Sequence, residues 1–125
     1  MIIATAQEAA ALLVPLFHGA EQERVIAAHL DAGLRLIGTS EGVNGSRDQV
    51  DLPIRSIIEE AFRLGSAGLI VAHNHPSGDP RPSEQDLHAT RELARTAASL
   101  DIRLHDHLIV TADGDCRSFR ALGLL

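Results

Sequence analysis

A chain of 125 residues with 45% hydrophobic side chains is long enough for one domain around a single core. Its formal charge is −6, it contains no lysine, and only 2% of it is aromatic. Those figures disfavour DNA binding by this chain alone, which needs a basic footprint, and they remove the aromatic platforms that stack single-stranded bases.

The lone Cys116 cannot close an internal disulfide and fits a reducing compartment. The apolar start, MIIATAQEAAALLVPLF, has no basic leader and carries Glu8, so it makes a poor secretory signal. No apolar run is long enough to span a bilayer, and the cytoplasm is the expected location.

Thr5-Ala6-Gln7-Glu8 has the form of a capping box. Ala9, Leu12, Leu13 and Leu16 follow at helical spacing, with Pro15 bending or ending the helix. Residues 24–31 read as a strand, Asp31-Ala32-Gly33 as a turn into the strand LRLIGTS, and EGVNGSRD as a loop. From Leu52, the positions Ile54, Ile57, Ile58, Ala61 and Leu64 mark a second helix closed by Gly65.

The run Gly68-Leu69-Ile70-Val71-Ala72 has the character of a buried strand and leads into His73-Asn74-His75. A loop rich in proline follows, shaped by Ser77 and Gly78. Ser83 then caps a third helix with Leu87, Thr90, Leu93, Ala97 and Leu100 on its inner face. IRLHDHLIVT is a strand, Asp113-Gly114 a hairpin turn, and CRSF a short return strand, with Cys116 a small buried hydrophobe. The expectation is one α/β (α+β) domain over residues 1–125, a mixed, curved sheet flanked by helices, with an N-terminal helix in 1–19 and the core in 20–125.

Strand alternation puts His73 and His75 on one face, where two imidazoles can converge on one ion. Asp86 lies one turn inside the next helix, and the prolines of the intervening loop restrict where that helix can start. Two imidazoles and one carboxylate form a catalytic zinc set with a position left for water. Taken singly, each residue has an ordinary role: a solvated histidine, an acid at a helix N-terminus, a cap. It is their combination after a buried strand that points to one zinc ion per chain.

The spacing His-x-His-x7-Ser-x-x-Asp, within HNHPSGDPRPSEQD, resembles the signature of JAMM/MPN+ metalloproteins, and of their RadC-like JAB branch in particular. SIIEEAFRLGSAGLIVAHNHPSG before it, and RLHDHLIV and SFRALGLL after it, extend the resemblance over about residues 20–125. The resemblance implies a JAB/MPN (cytidine deaminase-like) fold, a zinc peptidase or isopeptidase acting on a peptide or protein, and a catalytic glutamate at the start of the first strand. Counting back from Leu30-Asp31 puts Glu23 in that place. Glu21 is the alternative if the register slips, and Glu41, expected in a loop, fits less well. Ser83 takes the place of the residue that assists the oxyanion.

The second His-x-His pair, His105-Asp106-His107, has no Ser-x-x-Asp after it. Asp106 or His107 is expected to support the site or the core, with Asp106 the candidate carboxylate behind a ligand histidine. Asn74 is expected to bond backbone, and His18, His29 and His88 show no ligand spacing.

RadC-like proteins usually carry a helix-hairpin-helix region before this domain, and only about twenty residues precede it here. A DNA-associated accessory protein or metal-dependent nuclease, and a non-catalytic MPN scaffold, are the alternative functions. The apolar N-terminal helix and Leu124-Leu125 offer surface for a homodimer.

Overall fold

The computed structural model describes residues 1–42 and 52–125. Helix α1 (Ala6–Leu13) starts where Thr5 Oγ1 accepts the Glu8 N–H at 3.1 Å, which satisfies one of the orphan donors of the first turn. It gives way to a 3-10 turn, Val14–Phe17, with Pro15 in its first positions.

Strands β1 (Val25–Leu30) and β2 (Leu36–Gly42) pair antiparallel across a turn in which Asp31 Oδ1 accepts the Gly33 and Arg35 N–H groups, each at 2.9 Å. Glu41 and Gly42 belong to β2 rather than to a loop, because they complete the ladder opposite Ile26 and Val25. The remainder of the expected loop, 43–48, lies outside the described residues.

Helix α2 (Ile54–Leu64) ends at Gly65, whose φ of 69° is the left-handed cap that glycine adopts without steric cost. Strand β3 (Gly68–His75), helix α3 (Glu84–Ser99) and strand β4 (Arg103–Thr111) form a β–α–β unit, and β5 (Cys116–Ser118) returns beside β4. The five strands lie in the order β2-β1-β3-β4-β5. Only β3 and β4 are parallel, as their helical crossover requires.

The sheet is open and carries helices on both faces. Ile26, Ala28, Ile70, Ala72, Leu108 and Val110 pack with Ala9 and Leu13 of α1 on one face. Ala27, Leu69, Val71 and Leu104 pack with Ile57, Ile58 and Ala61 of α2 and Leu93 and Ala97 of α3 on the other. Coverage on both sides explains why β1 is buried along its whole length and β3 as far as Asn74, with apolar side chains on both faces of 68–72.

Thr90, Leu93 and Ala97 lie on the inner face of α3 as expected, but Leu87 and Leu100 do not share their burial. Asp86, Ala89, Thr90, Leu93 and Ala97 are buried, whereas Leu87 is half-buried and Leu100 is 40% exposed. Leu100 sits beyond the last helical residue, and its φ of −113° takes it off the helical face. At the C-terminus Leu125 is exposed while Leu124 is half-buried, its N–H bonded to Phe119 O at 2.8 Å.

One irregularity in β4 decides which side chains reach the site. Leu69 pairs with Leu104, but the next residue, Ile70, pairs with Asp106, so His105 is an extra residue in the strand. Regular alternation would put Asp106 on the face of Leu104. The bulge inverts this: Leu104 packs toward α2 and α3, Asp106 turns to the α1 face with Leu108, and His107 takes the face toward α3.

Candidate metal centre

His73 and His75 end β3 on the face toward α3, and Asp86 enters from the first turn of that helix. His73 Nε2 and His75 Nε2 are 2.9 Å apart. Asp86 Oδ1 lies 3.3 Å from the first and Oδ2 3.3 Å from the second. His73 is fully buried, Asp86 nearly so, and His75 half-buried, so the cluster opens to solvent on the His75 side.

Each donor is aimed by a bond on its far side. His75 Nδ1 lies 2.9 Å from the Asp79 carbonyl, which can only accept, so Nδ1 carries the proton and Nε2 its lone pair in the neutral ring. Asp79 itself is taken up by Arg81, whose side-chain and backbone N–H groups hold its carboxyl down at about 2. Gly78, at φ 89°, makes the bend that brings this carbonyl back to His75.

Ser83 and Asp86 form a reciprocal capping box. Asp86 N–H donates to Ser83 Oγ at 3.0 Å, and Ser83 N–H donates to Asp86 Oδ2 at 2.8 Å. One residue thus closes the helix and supplies the carboxylate.

The electrostatics match a cation site. Burial opposes ionisation of Asp86, yet the Ser83 N–H and the His73 and His75 rings, which donate to the carboxylate when they are protonated, outweigh it and hold the carboxyl well below the usual carboxylate range. His75 is raised, chiefly by the hydrogen bond that its protonated ring gives Asp86, against an opposing contribution from burial. The Glu23 charge adds to that rise. Two ring nitrogens and a carboxylate oxygen, all within 4.8 Å of one another, therefore face a point that needs positive charge, and they can hold a metal ion.

Glu23 lies at the same end of the sheet. Val25 pairs with His73, so continuing the antiparallel register by two residues puts Glu23 opposite His75. Asn74 clamps this segment from the neighbouring strand: Nδ2 donates to Gln22 O at 3.0 Å, and Oδ1 accepts the Arg24 N–H at 2.6 Å. Asn74 bonds backbone, as the sequence leads one to expect, and the two bonded residues flank Glu23. Glu23 and Glu21 are both exposed. Glu41 is engaged elsewhere, in a two-point ion pair with Arg24 at 2.6 and 3.0 Å that lowers its pKa.

Asp106 is buried but does not reach a ligand histidine. Its carboxylate accepts the His107 and Arg120 N–H groups and the Ser118 hydroxyl, tying β4 to the chain after β5. The bulge at His105 is the reason. His107 takes the place expected of Asp106, with Nε2 2.6 Å from His73 Nδ1, Nδ1 2.6 Å from Thr90 Oγ1, and its ring stacked on Phe119.

The other candidates have separate roles. His29 is buried between Ser40 and Ser66, each hydroxyl 2.8 Å from a ring nitrogen. His18 and His88 are exposed. Cys116 is half-buried against the α1-side core, and burial pushes its thiol up to about 11.

A mixed sheet with His-Asn-His ending a strand and Ser-x-x-Asp opening the next helix fits a JAB-type domain with a candidate metal site. The chain belongs to the RadC-like JAB domain family, whose model matches residues 3–124. It is 42% identical over 98 residues to a UPF0758 protein of Cupriavidus taiwanensis, covering 78% of this chain and 41% of that protein. It is also 42% identical over 105 residues to a UPF0758 protein of Rhodobacter capsulatus, covering 84% and 48% respectively. The chain thus spans less than half the length of these relatives.

Proposed function

We propose that this domain is a zinc-dependent amide hydrolase of the JAMM type, a peptidase or isopeptidase. The observation that carries the reading is the convergence of His73 Nε2, His75 Nε2 and the Asp86 carboxylate, with His75 Nδ1 already committed to a carbonyl. Two nitrogens and one oxygen suit zinc and leave coordination open to a substrate or water, as catalytic zinc sites do. Bound there, the ion supplies Lewis acidity that polarises an amide carbonyl and makes water acidic enough to act near neutral pH.

The chain's own residues divide the remaining work. Glu23, exposed at the same end of the sheet, takes the proton of the attacking water and returns it to the leaving amine nitrogen. Ser83 Oγ accepts the Asp86 N–H, and its hydroxyl proton donates to no partner among the described residues, so it can serve an oxyanion formed at the scissile carbonyl. The opening on the His75 side admits the substrate, while buried His73 and Asp86 keep the inner wall dry.

The test is a paired measurement on Glu23→Gln. Zinc binding should stay near wild type, while hydrolysis of a mixed peptide and isopeptide pool should fall about a hundredfold or more, the scale of a lost general base. A variant that still cleaves at the wild-type rate would remove Glu23 from the mechanism.

A further inference from the structure

We infer that His107 and Thr90 form a proton-locking relay that fixes the tautomer of His73 and presents its Nε2 lone pair to the metal. The inference rests on His73 being a ligand, and it assigns roles to two residues that supply no donor atom themselves.

The direction of every bond follows from counting protons. Thr90 Oγ1 lies 2.6 Å from the Asp86 carbonyl oxygen and 2.6 Å from His107 Nδ1. A carbonyl can only accept, and a hydroxyl has one proton, so that proton points at Asp86 O. His107 Nδ1 must then be the donor to Thr90.

The His107 ring is completely buried, which opposes a charge there, and no carboxylate is hydrogen-bonded to it among the described residues; in the neutral ring the Nδ1 proton is the single one. Its Nε2 is therefore an acceptor. His73 Nδ1, 2.6 Å away, has to donate to it. A neutral His73 with its proton on Nδ1 has a bare Nε2, the atom that meets His75 and Asp86.

The relay also joins the two elements that build the site. It starts on His73 at the end of β3, crosses β4 through His107, and ends on the backbone carbonyl of Asp86 in α3. Strand and helix are thus held in register by the same bonds that orient the ligand. Stacking of Phe119 on the His107 ring, with centroids 4.5 Å apart and planes 16° apart, keeps the ring from turning. Reversing the tautomer would put a proton on the His73 Nε2 and block ligation. Outer partners of this kind typically change metal affinity 10–100-fold when removed.

Thr90→Val keeps the β-branched shape and removes the hydroxyl; Thr90→Ser restores it. In the metal-free wild type at about pH 8, where free histidine is neutral, long-range ¹H–¹⁵N spectra should show His73 protonated on Nδ1 and His107 on Nδ1. In Thr90→Val the His107 proton is free to move to Nε2, the His73 tautomer should shift toward Nε2–H, and zinc should bind about tenfold more weakly in a chelator competition. Thr90→Ser should recover both.

A wild-type His73 protonated on Nε2, or a Thr90→Val variant with unchanged zinc affinity, would overturn the relay. A wild type that shows the expected tautomers yet binds no zinc would instead overturn the metal reading, and the relay's purpose with it. The tautomer spectra and the affinity thus separate the two failures.

Discussion

The two sides of the site are built differently. On the ligand side, His73, His75 and Asp86 fall within fourteen consecutive positions, and each is braced from behind by His107, the Asp79 carbonyl or the Ser83 N–H. On the other side, Glu23 is an exposed residue just ahead of β1, positioned from outside by the Asn74 clamp and the Arg24–Glu41 ion pair. On the proposed reading, the contrast teaches that the candidate metal cluster is braced within the fold, while the proposed proton-transfer group depends on a segment held by a few hydrogen bonds.

Changes on the ligand side should have the larger effects on metal. His75→Ala, at a half-buried position, should leave the protein folded and weaken zinc binding by more than about 100-fold, beyond what losing an outer partner costs. Chelator competition beside a circular dichroism spectrum measures both. Unchanged affinity would erase the distinction between the two sides.

Ser83→Ala probes the boundary between them. Turnover should fall about a hundredfold from the lost oxyanion donor. Losing the N-cap should lower stability by about 1 kcal/mol, and zinc affinity should change less than turnover. Kinetics, urea unfolding and metal titration of the one variant give the three values.

Asn74→Ala tests the Glu23 side. It leaves the Arg24 N–H and Gln22 carbonyl without their partner, at a cost of about 1–3 kcal/mol in urea unfolding. Hydrolysis should fall well below wild type while zinc remains bound. Loss of zinc in parallel with activity would mean that Asn74 serves the ligands and not the Glu23 segment.

The smallest expected effect is on pH. Burial lowers the pKa values of His29 and His107 below the ordinary histidine value near 6.5. The unfolded chain then binds more protons than the folded one as pH falls through that value, and stability is lost. His75, raised by Asp86, acts the other way but is only one group and is partly exposed. The urea midpoint of metal-free protein should therefore drop between pH 7.5 and about 5.5. A rising midpoint would show that His75 dominates.

The same contrast governs which features the sequence alone makes legible. The clustering of His73, His75 and Asp86 was legible because the three share one strand end and one helix turn, where local periodicity fixes which way a side chain points. The helices were legible from Thr5, Gly65 and Ser83, whose caps are short-range chemistry. The place of Glu41 was not, because its membership in β2 depends on pairing with β1. Leu100 was assigned to the α3 face by period alone, although the helix stops one residue before it.

Asp106 shows the clearest limit. Alternation favours it over His107 only if β4 is regular, and a single inserted residue, His105, exchanges their faces. The pattern HDH contains no mark of that bulge. The only signal was the chemistry itself: either residue of the pair can serve a ligand histidine, and the sequence left both in play.

Zinc-edge X-ray absorption on the purified, zinc-loaded protein tests the central claim most directly. Two imidazole nitrogens at about 2.0–2.1 Å and at least one oxygen at about 2.0–2.2 Å are expected, with one imidazole lost in His75→Ala. A protein that retains no zinc, a shell containing sulfur, or a wild-type spectrum unaltered by His75→Ala would contradict the site.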